Sequence, residues 1–255
     1  MGSVIATKHP RLGQHFLASS RVLERIATAA CPAGTQQVIE IGPGQGALTD
    51  RLLVHSPKVV AIEMDSALAA HLRERWSHEP RFTLVEGNAL NFDWTQWGPG
   101  MLAGNLPYYV ATAIISKYLL NPGDLAQAVF LIQKEVAERI TAKPGTRDFG
   151  YLSVECQHLA KAEYLFSVPP GAFRPPPKVD SAVIRLTPHT GVPAAETKAF
   201  LAFASACFRQ KRKTLRNNLA DLYPKEKLDA TPAVSQRAEQ LSVKELAQLF
   251  ADLAD

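Results

Sequence analysis

Glu40-Ile41-Gly42-Pro43-Gly44-Gln45-Gly46 decides the reading of the fold. The stretch ends the apolar strand read over Gln37 to Ile41 and precedes Ala47 to Val54, whose pattern is helical. Its glycines therefore fall on a turn from strand into helix, where backbone must come close to a ligand. The spacing Gly-x-Gly-x-Gly (42, 44, 46) is one residue shorter than the dinucleotide pattern Gly-x-Gly-x-x-Gly. A nicotinamide dinucleotide fits it less well than a nucleoside with no pyrophosphate to cradle, such as S-adenosylmethionine. Glu63 ends the next strand, 21 residues after Gly42, where an acid can accept from both ribose hydroxyls. Asn88 follows the third strand and is placed to hydrogen-bond an adenine edge. Alone, Glu63 also reads as a helix-start charge and Asn88 as a turn residue. In this order behind the loop, they mark a methyl-donor pocket.

Outward from the loop, strands and helices alternate. Ser19 and Ser20 can cap a helix from Arg21 to about Ala30 that Cys31-Pro32 ends. Lys58 to Glu63 reads as the second strand, with a helix opening at Asp65-Ser66. Arg81 to Val85, Met101 to Gly104 and Ala126 to Ile132 are the third, fourth and fifth strands. Tyr109 to Leu120 is a helix, and another starts near Lys134. This alternation predicts an α/β fold with a doubly wound, Rossmann-like parallel sheet. After Gly150 the rhythm changes. Tyr164 to Val168 and Ser181 to Leu186 read as a late antiparallel pair flanking the proline-rich loop Pro169 to Pro177. Thr187 to Pro193 has turn residues without an apolar period, and all that follows is helical. The expected organisation is a sheet domain over 1–187 and a small all-helical domain over 188–255.

At the carboxyl end of the fourth strand stand Asn105-Leu106-Pro107-Tyr108. An ordinary turn uses the same residue types. Downstream of a methyl-donor loop the tetrad has a second meaning. The Asn105 side-chain carbonyl and the Leu106 backbone carbonyl, held out by Pro107, are two acceptors for the two N–H bonds of an exocyclic amine. The Tyr108 ring is a face for the heterocycle.

The chain has 255 residues, enough for one large domain with a smaller one. Its 46% apolar and 20% charged residues are those of a globular protein. No run reaches the roughly 18 apolar residues of a membrane span, and Met1 to Pro10 lacks the apolar centre of a signal peptide. Cys31, Cys156 and Cys207 are odd in number and widely spaced. They argue for a reducing, cytoplasmic setting and against a disulfide framework or zinc site. The seven His show no metal-ligand spacing, so no metal is expected. Net charge is +4. Residues 188–255 carry ten Lys/Arg against eight Asp/Glu, so the excess is no simple basic tail. Between Cys207 and Asn218, however, Arg209, Lys211, Arg212, Lys213 and Arg216 meet no acid in the chain. That cluster is either a solvated helix face or a polyanion-binding patch.

With these motifs in order, the chain resembles the ribosomal RNA adenine N6,N6-dimethyltransferases, specifically those of the bacterial small subunit. The resemblance runs nearly end to end. It rests on Arg11-Leu12-Gly13-Gln14-His15-Phe16-Leu17, Glu40 to Gly46, Gly104 to Tyr108, Val168 to Ala182 with Phe173-Arg174-Pro175-Pro176-Pro177-Lys178-Val179-Asp180-Ser181, and Phe208 to Asn218. It implies that the His15 side chain and Leu17 backbone touch the cofactor from the N-terminal segment. Gly42 would lie against the cofactor's methionine part, Glu63 on its ribose and Asn88 on its adenine. Asn105 would face both methyl donor and target amine. The family usually has Asn at the position of His15 and Asp at that of Asn88. Asn88 keeps an acceptor and adds a donor, whereas His15 could make affinity pH-dependent. The implied substrate is 16S ribosomal RNA in the small subunit or its precursor, at two adjacent adenosines in a hairpin loop near the 3′ end. A monomer is expected.

Chemistry follows from the tetrad. Adenine N6 is a poor nucleophile because its lone pair is delocalised. Bonds from both its hydrogens to Asn105 and the Leu106 carbonyl favour a tetrahedral nitrogen, and positioning supplies much of the rate without a dedicated base. The target base must leave any stack, with Tyr108 on one face and Phe173 as candidate for the other. Phe173 as a plain core residue is the competing reading. A large-subunit adenine methyltransferase, a DNA adenine methyltransferase and a non-catalytic RNA-binding factor on the same fold are the alternatives. The first usually lacks the Phe173 to Ser181 string, the second needs a target-recognition domain, and the third need not keep Glu63, Asn88 and Asn105.

Overall fold

The computed structural model describes residues 15–191 and 194–254. The Arg11–Gln14 part of the resemblance, the segment Met1 to Pro10, and Val192 and Pro193 of the expected boundary lie outside the described residues. Seven strands form one sheet: β1 (Val38–Ile41), β2 (Val59–Glu63), β3 (Phe82–Glu86), β4 (Gly100–Asn105), β5 (Leu125–Gln133), β6 (Ala160–Val168) and β7 (Ser181–Pro188). Their spatial order is β3-β2-β1-β4-β5-β7-β6. The first five are parallel, and β7 enters antiparallel between β5 and β6, with Val129 opposite Arg185 and Glu163 opposite Arg185. Every residue of β1 and β2 is buried, as strands covered on both faces require. The order reverses beside β1, so β1 and β4 end at the switch point where open α/β sheets bind ligands.

Helices cover both faces: α1 (Ser20–Ala30), α2 (Ala47–His55), α3 (Ser66–Arg75), α4 (Ala111–Leu120), α5 (Lys134–Ile140) and α6 (Tyr151–Leu159). Asp65 caps α3, its carboxylate accepting from the N–H groups of Ala67 and Leu68. Ser19 precedes α1 but makes no capping bond with its side chain. The helix expected from Tyr109 begins at Ala111 instead. The Pro107 carbonyl accepts from the Val110 and Ala111 N–H groups, making a turn that leaves Tyr109 exposed.

Two departures concern the segment after Gly150. Helix α6 was not expected there, and β6 starts at Ala160 rather than Tyr164. Leu152, Ser153, Val154, Glu155, Cys156 and Leu159 are all buried in α6. A helix enclosed nearly all round shows no apolar stripe, and it runs into β6 with no turn residue between. Beyond β7 come α7 (Ala194–Cys207), α8 (Leu215–Leu219), α9 (Lys225–Ala230) and α10 (Val243–Ala254). Phe200, Phe203, Leu246 and Leu249 from this helical part share one buried cluster with Ile39, Tyr118 and Phe130.

Candidate functional site

The glycine turn is held from below and from the side. Gly42, Gly44 and Gly46 all have positive φ. A Cβ on Gly46 would collide with the Trp76 ring, so the start of α2 packs against α3 through bare backbone. The Gly44 N–H donates to Glu63 Oε2 at 2.9 Å, and the Asp65 N–H donates to Glu63 Oε1 at 2.9 Å. Glu63 thus ties the loop to the end of β2 while each oxygen keeps a lone pair for a further donor. It is 5% exposed, and burial raises its carboxyl above the ordinary carboxylate range against the pull of these N–H groups. Asn88 is exposed. Its carbonyl accepts from the Leu90 N–H at 3.0 Å, and its amide N–H groups have no partner among the described residues.

Glu40, within β1 just before the turn, is a buried acid at 1% exposure. Thr49 Oγ1 donates to its Oε2 at 2.6 Å. Burial lifts its carboxyl to about 8; the Thr49 bond opposes this, and the charges of Glu63 and Asp50 add to it. Because the folded value lies above the unfolded one, the stability contributed by the protonated form is complete below about 4.3. It is lost as pH rises through about 8. Glu40→Gln, which keeps the shape without the ionisation, should flatten the fall in Tm between pH 5 and pH 9. Equal slopes for both proteins in a thermal melt series would remove Glu40 from that titration.

The tetrad closes the opposite wall. A Cβ on Gly42 would stand 4.0 Å from both the Asn105 carbonyl oxygen and Pro107 Cδ, an ordinary contact distance, so loop and tetrad lie side by side. Asn105 Nδ2 donates to the backbone carbonyl of His15 at 3.2 Å, and its Oδ1 has no partner among the described residues. The Leu106 side chain is buried, and its carbonyl has no partner among the described residues. Gly104 allows this approach: a Cβ there would meet the Ile41 carbonyl oxygen at 2.6 Å. The Tyr108 hydroxyl shares a hydrogen bond with Ser181 Oγ at 2.7 Å, which fixes the ring. Burial raises the Tyr108 phenol further above neutrality, so it presents a neutral ring and no base.

The N-terminal segment straps across this wall. Phe16–Leu17 pairs antiparallel with Phe173–Arg174, and the Phe16 ring would lie 3.1 Å from a Cβ on Gly44. His15 Nδ1 donates to the Pro175 carbonyl at 2.9 Å, so its ring is committed to the proline-rich loop on that side and only Nε2 remains available. The Leu17 side chain is buried, and its backbone is paired with Phe173. The stacking role expected for Phe173 needs correction. The residue is 1% exposed and packs in the core with Leu17, Leu23 and Val183. Enclosed there, the Phe173 ring shows no free face in this structure. Ser181 and Phe16 are site neighbours that sequence reasoning did not single out, although both sit within the strings that carried the resemblance.

The basic segment lies apart, after α7. Arg209 pairs with Asp221 at 3.2 Å and Arg216 with Asp229 at 2.6 Å, so acids absent from the segment meet two of its five cations in space. Lys211 Nζ donates to the Arg147 carbonyl. Arg212 and Lys213 are exposed and, among the described residues, in no ion pair within 4.0 Å.

Comparison with known proteins agrees with this geometry. The family profile described as ribosomal RNA adenine dimethylase matches residues 5–255. The chain is 41% identical over 266 residues to the ribosomal RNA small subunit methyltransferase A of Acidobacterium capsulatum, covering 99% of this chain and 94% of that protein. It is 40% identical over 252 residues to the protein of the same name from Pseudomonas fluorescens, with 96% and 93% covered. Among solved structures, a dimethyladenosine transferase from Plasmodium falciparum shares the fold at a TM-score of 0.78, with 24% identity and 94% and 96% coverage. The 23S rRNA methyltransferase ErmE superposes at 0.76, with 26% identity and 94% and 100% coverage.

Proposed function

The chain belongs to the ribosomal RNA adenine dimethylase family, and on that premise we propose that it dimethylates N6 of two adjacent adenosines near the 3′ end of 16S ribosomal RNA in the small ribosomal subunit or its precursor. The observation that carries this reading is the pair of acceptors, Asn105 Oδ1 and the Leu106 carbonyl, without a partner among the described residues, on a tetrad whose Asn105 and Pro107 backbone lies beside Gly42.

S-adenosylmethionine supplies the electrophilic methyl group. The residues fit it: Gly42 leaves room beside the tetrad, Glu63 keeps lone pairs for ribose hydroxyls, and Asn88 offers N–H donors to an adenine ring nitrogen. His15 Nε2 and the Leu17 backbone complete the cofactor's surroundings in this proposal, with Gly44 kept bare beside Phe16. Asn105 and the Leu106 carbonyl accept the two N–H bonds of the target amine, which localises its lone pair toward the methyl donor. Tyr108 holds one face of the flipped base. After the first methylation one N–H remains, so one of the two acceptors still orients the nitrogen for the second transfer. The proton leaves an acidified N6 to solvent, and no side chain of the tetrad is needed as base.

Arg209, Lys211, Arg212, Lys213 and Arg216 bind the RNA in this reading, with Arg212 and Lys213 the cations least engaged within the protein. Neutralising Lys211, Arg212 and Lys213 together should weaken small-subunit binding. The log–log salt slope should flatten by about 0.7–0.9 for each phosphate that the variant no longer neutralises, and cofactor affinity should hold. Normal binding by that variant at every salt concentration would make the cluster a solvated face. Two domains, 1–187 and 188–255, joined by a shared apolar cluster, a monomeric state and a cytoplasmic location complete the proposal. Among the described residues no helix is long and apolar enough to cross a membrane. The deciding experiment offers labelled methyl donor with unmodified small or large subunits and digests the RNA to nucleosides. Label in N6,N6-dimethyladenosine from small subunits only is the expected result. Label confined to large subunits would reassign the enzyme, and no label in either would end the reading.

A further inference from the structure

A second recess lies among α6, α7, α10 and the segment after α8, with a volume of about 760 Å³. The rings of Tyr151, Phe208, Tyr223 and Phe250 line it, and Arg209 stands at its rim. All four rings are half-buried, so each shows part of its surface to the cavity. They pack on further rings: Phe208 lies 6.2 Å from Phe149, and Tyr223 meets Phe203, which also lines the recess, edge-on at 6.4 Å. Among the described residues, neither the Tyr151 nor the Tyr223 hydroxyl has a hydrogen-bond partner within the chain. An aromatic recess that serves only to close a core would cover its phenol groups or satisfy them.

The charges around the recess favour a polyanion. Arg209 is offset by Asp221, but Lys211, Arg212 and Lys213 follow it with no acid within ion-pair distance among the described residues. Lys211 reaches the Arg147 carbonyl, which brings the basic segment to the loop that leads into α6. Topology also places the recess relative to the reaction. Helix α6 leads directly into β6, which is parallel to β4 because β7 is antiparallel to β5 and β6 alike. Tyr151, at the start of α6, therefore stands on the carboxyl-end side of the sheet, the side of Asn105.

We propose that this recess takes one unstacked nucleobase of the ribosomal RNA, separate from the adenosine being methylated, with its π-face on the rings, its polar edge on the Tyr151 and Tyr223 hydroxyls, and the adjoining phosphates on Arg212 and Lys213. The inference rests on the reading of the chain as a ribosomal RNA enzyme. Single-stranded RNA is held by this combination of stacking rings and backbone cations, and every base has a π-face to offer. A second anchored nucleotide would fix the direction in which the hairpin enters the tetrad.

The test uses the whole enzyme with unmodified small subunits. Ultraviolet crosslinking followed by mass spectrometry should find a nucleotide on a peptide carrying Tyr151, Phe208 or Tyr223. Ala202→Trp adds a ring to the recess from an exposed position on α7. It should loosen small-subunit binding by roughly tenfold or more, the scale of one stacked base. Its affinity for S-adenosylmethionine should stay that of the wild type, because the substitution touches no residue assigned to the cofactor. A crosslink from these residues to a ribosomal protein would overturn the nucleobase assignment. So would unchanged affinity of the variant, with or without an RNA crosslink in the recess. If the wild-type enzyme itself binds no small subunits, the functional reading falls and this inference with it. Normal wild-type binding with a neutral variant overturns the inference alone.

Discussion

Asn105→Ala is expected to lower kcat for adenine methylation by about 10²–10⁴-fold while small-subunit affinity stays nearly as it was. The magnitude follows from what the side chain does. Its Oδ1 accepts from an amine whose lone pair must be pulled out of conjugation, and that bond strengthens as N6 becomes tetrahedral. An interaction made mainly in the transition state appears in kcat rather than in binding. The affinity for RNA rests on many groups elsewhere, so one truncated side chain at the reacting nitrogen leaves it alone. The structure adds a complication that the experiment can separate. Asn105 Nδ2 also holds the His15 carbonyl, so truncation releases one tie of the N-terminal strap. Asn105→Asp keeps an acceptor for the amine but cannot donate to His15. If orientation of the amine dominates, the Asp variant recovers part of kcat; if the strap dominates, Ala and Asp are equally impaired and both lose cofactor affinity. Near-normal turnover in the Ala variant would remove Asn105 from the mechanism.

The part of the site legible in the sequence was the part built by local backbone. Strand, glycine turn and helix are contiguous, and their pattern put Gly42, Glu63 and Asn105 at strand ends of one parallel sheet; the fold shows those strands side by side. What escaped reading depends on the meeting of distant segments. The strap of Phe16–Leu17 on Phe173–Arg174 is a two-residue pairing across more than 150 residues, too short to leave any alternation. It is this pairing that buries Phe173, so a ring with a plausible stacking role became a core residue. Helix α6 escaped for the opposite reason: burial around nearly its whole circumference erased the stripe that announces a helix. The basic segment was legible as charge, but its partners Asp221 and Asp229 lie outside the segment and only the fold brings them to Arg209 and Arg216. The Asn88 carbonyl, read as an acceptor for adenine, is already engaged by its own turn at Leu90, so its amide donors are what remain most freely offered.

Glu63→Ala should weaken S-adenosylmethionine binding by about 1.5–3 kcal/mol for each charge-assisted hydrogen bond removed, and one or two such bonds are at stake. The carboxylate sits in a buried position where hydroxyl donors compete with little water, which places the effect toward the upper part of that range. Part of the loss has a second origin. Glu63 ties the Gly44 and Asp65 N–H groups, so its removal also frees the loop that must lie against the ligand. Glu63→Gln distinguishes the two, because its carbonyl oxygen can keep one tether while the charge is gone. The same carboxyl gives a pH dependence with a definite sign. Burial raises it above the ordinary carboxylate range. Ribose hydroxyls donate best to the ionised form, so binding favours proton release, and affinity should rise with pH through a window above the usual Glu value. Wild-type enzyme should show that rise in titration calorimetry, and Glu63→Gln should not. Cofactor affinity unchanged in Glu63→Ala, at every pH, would mean that the ribose is held elsewhere and that Glu63 serves the loop alone.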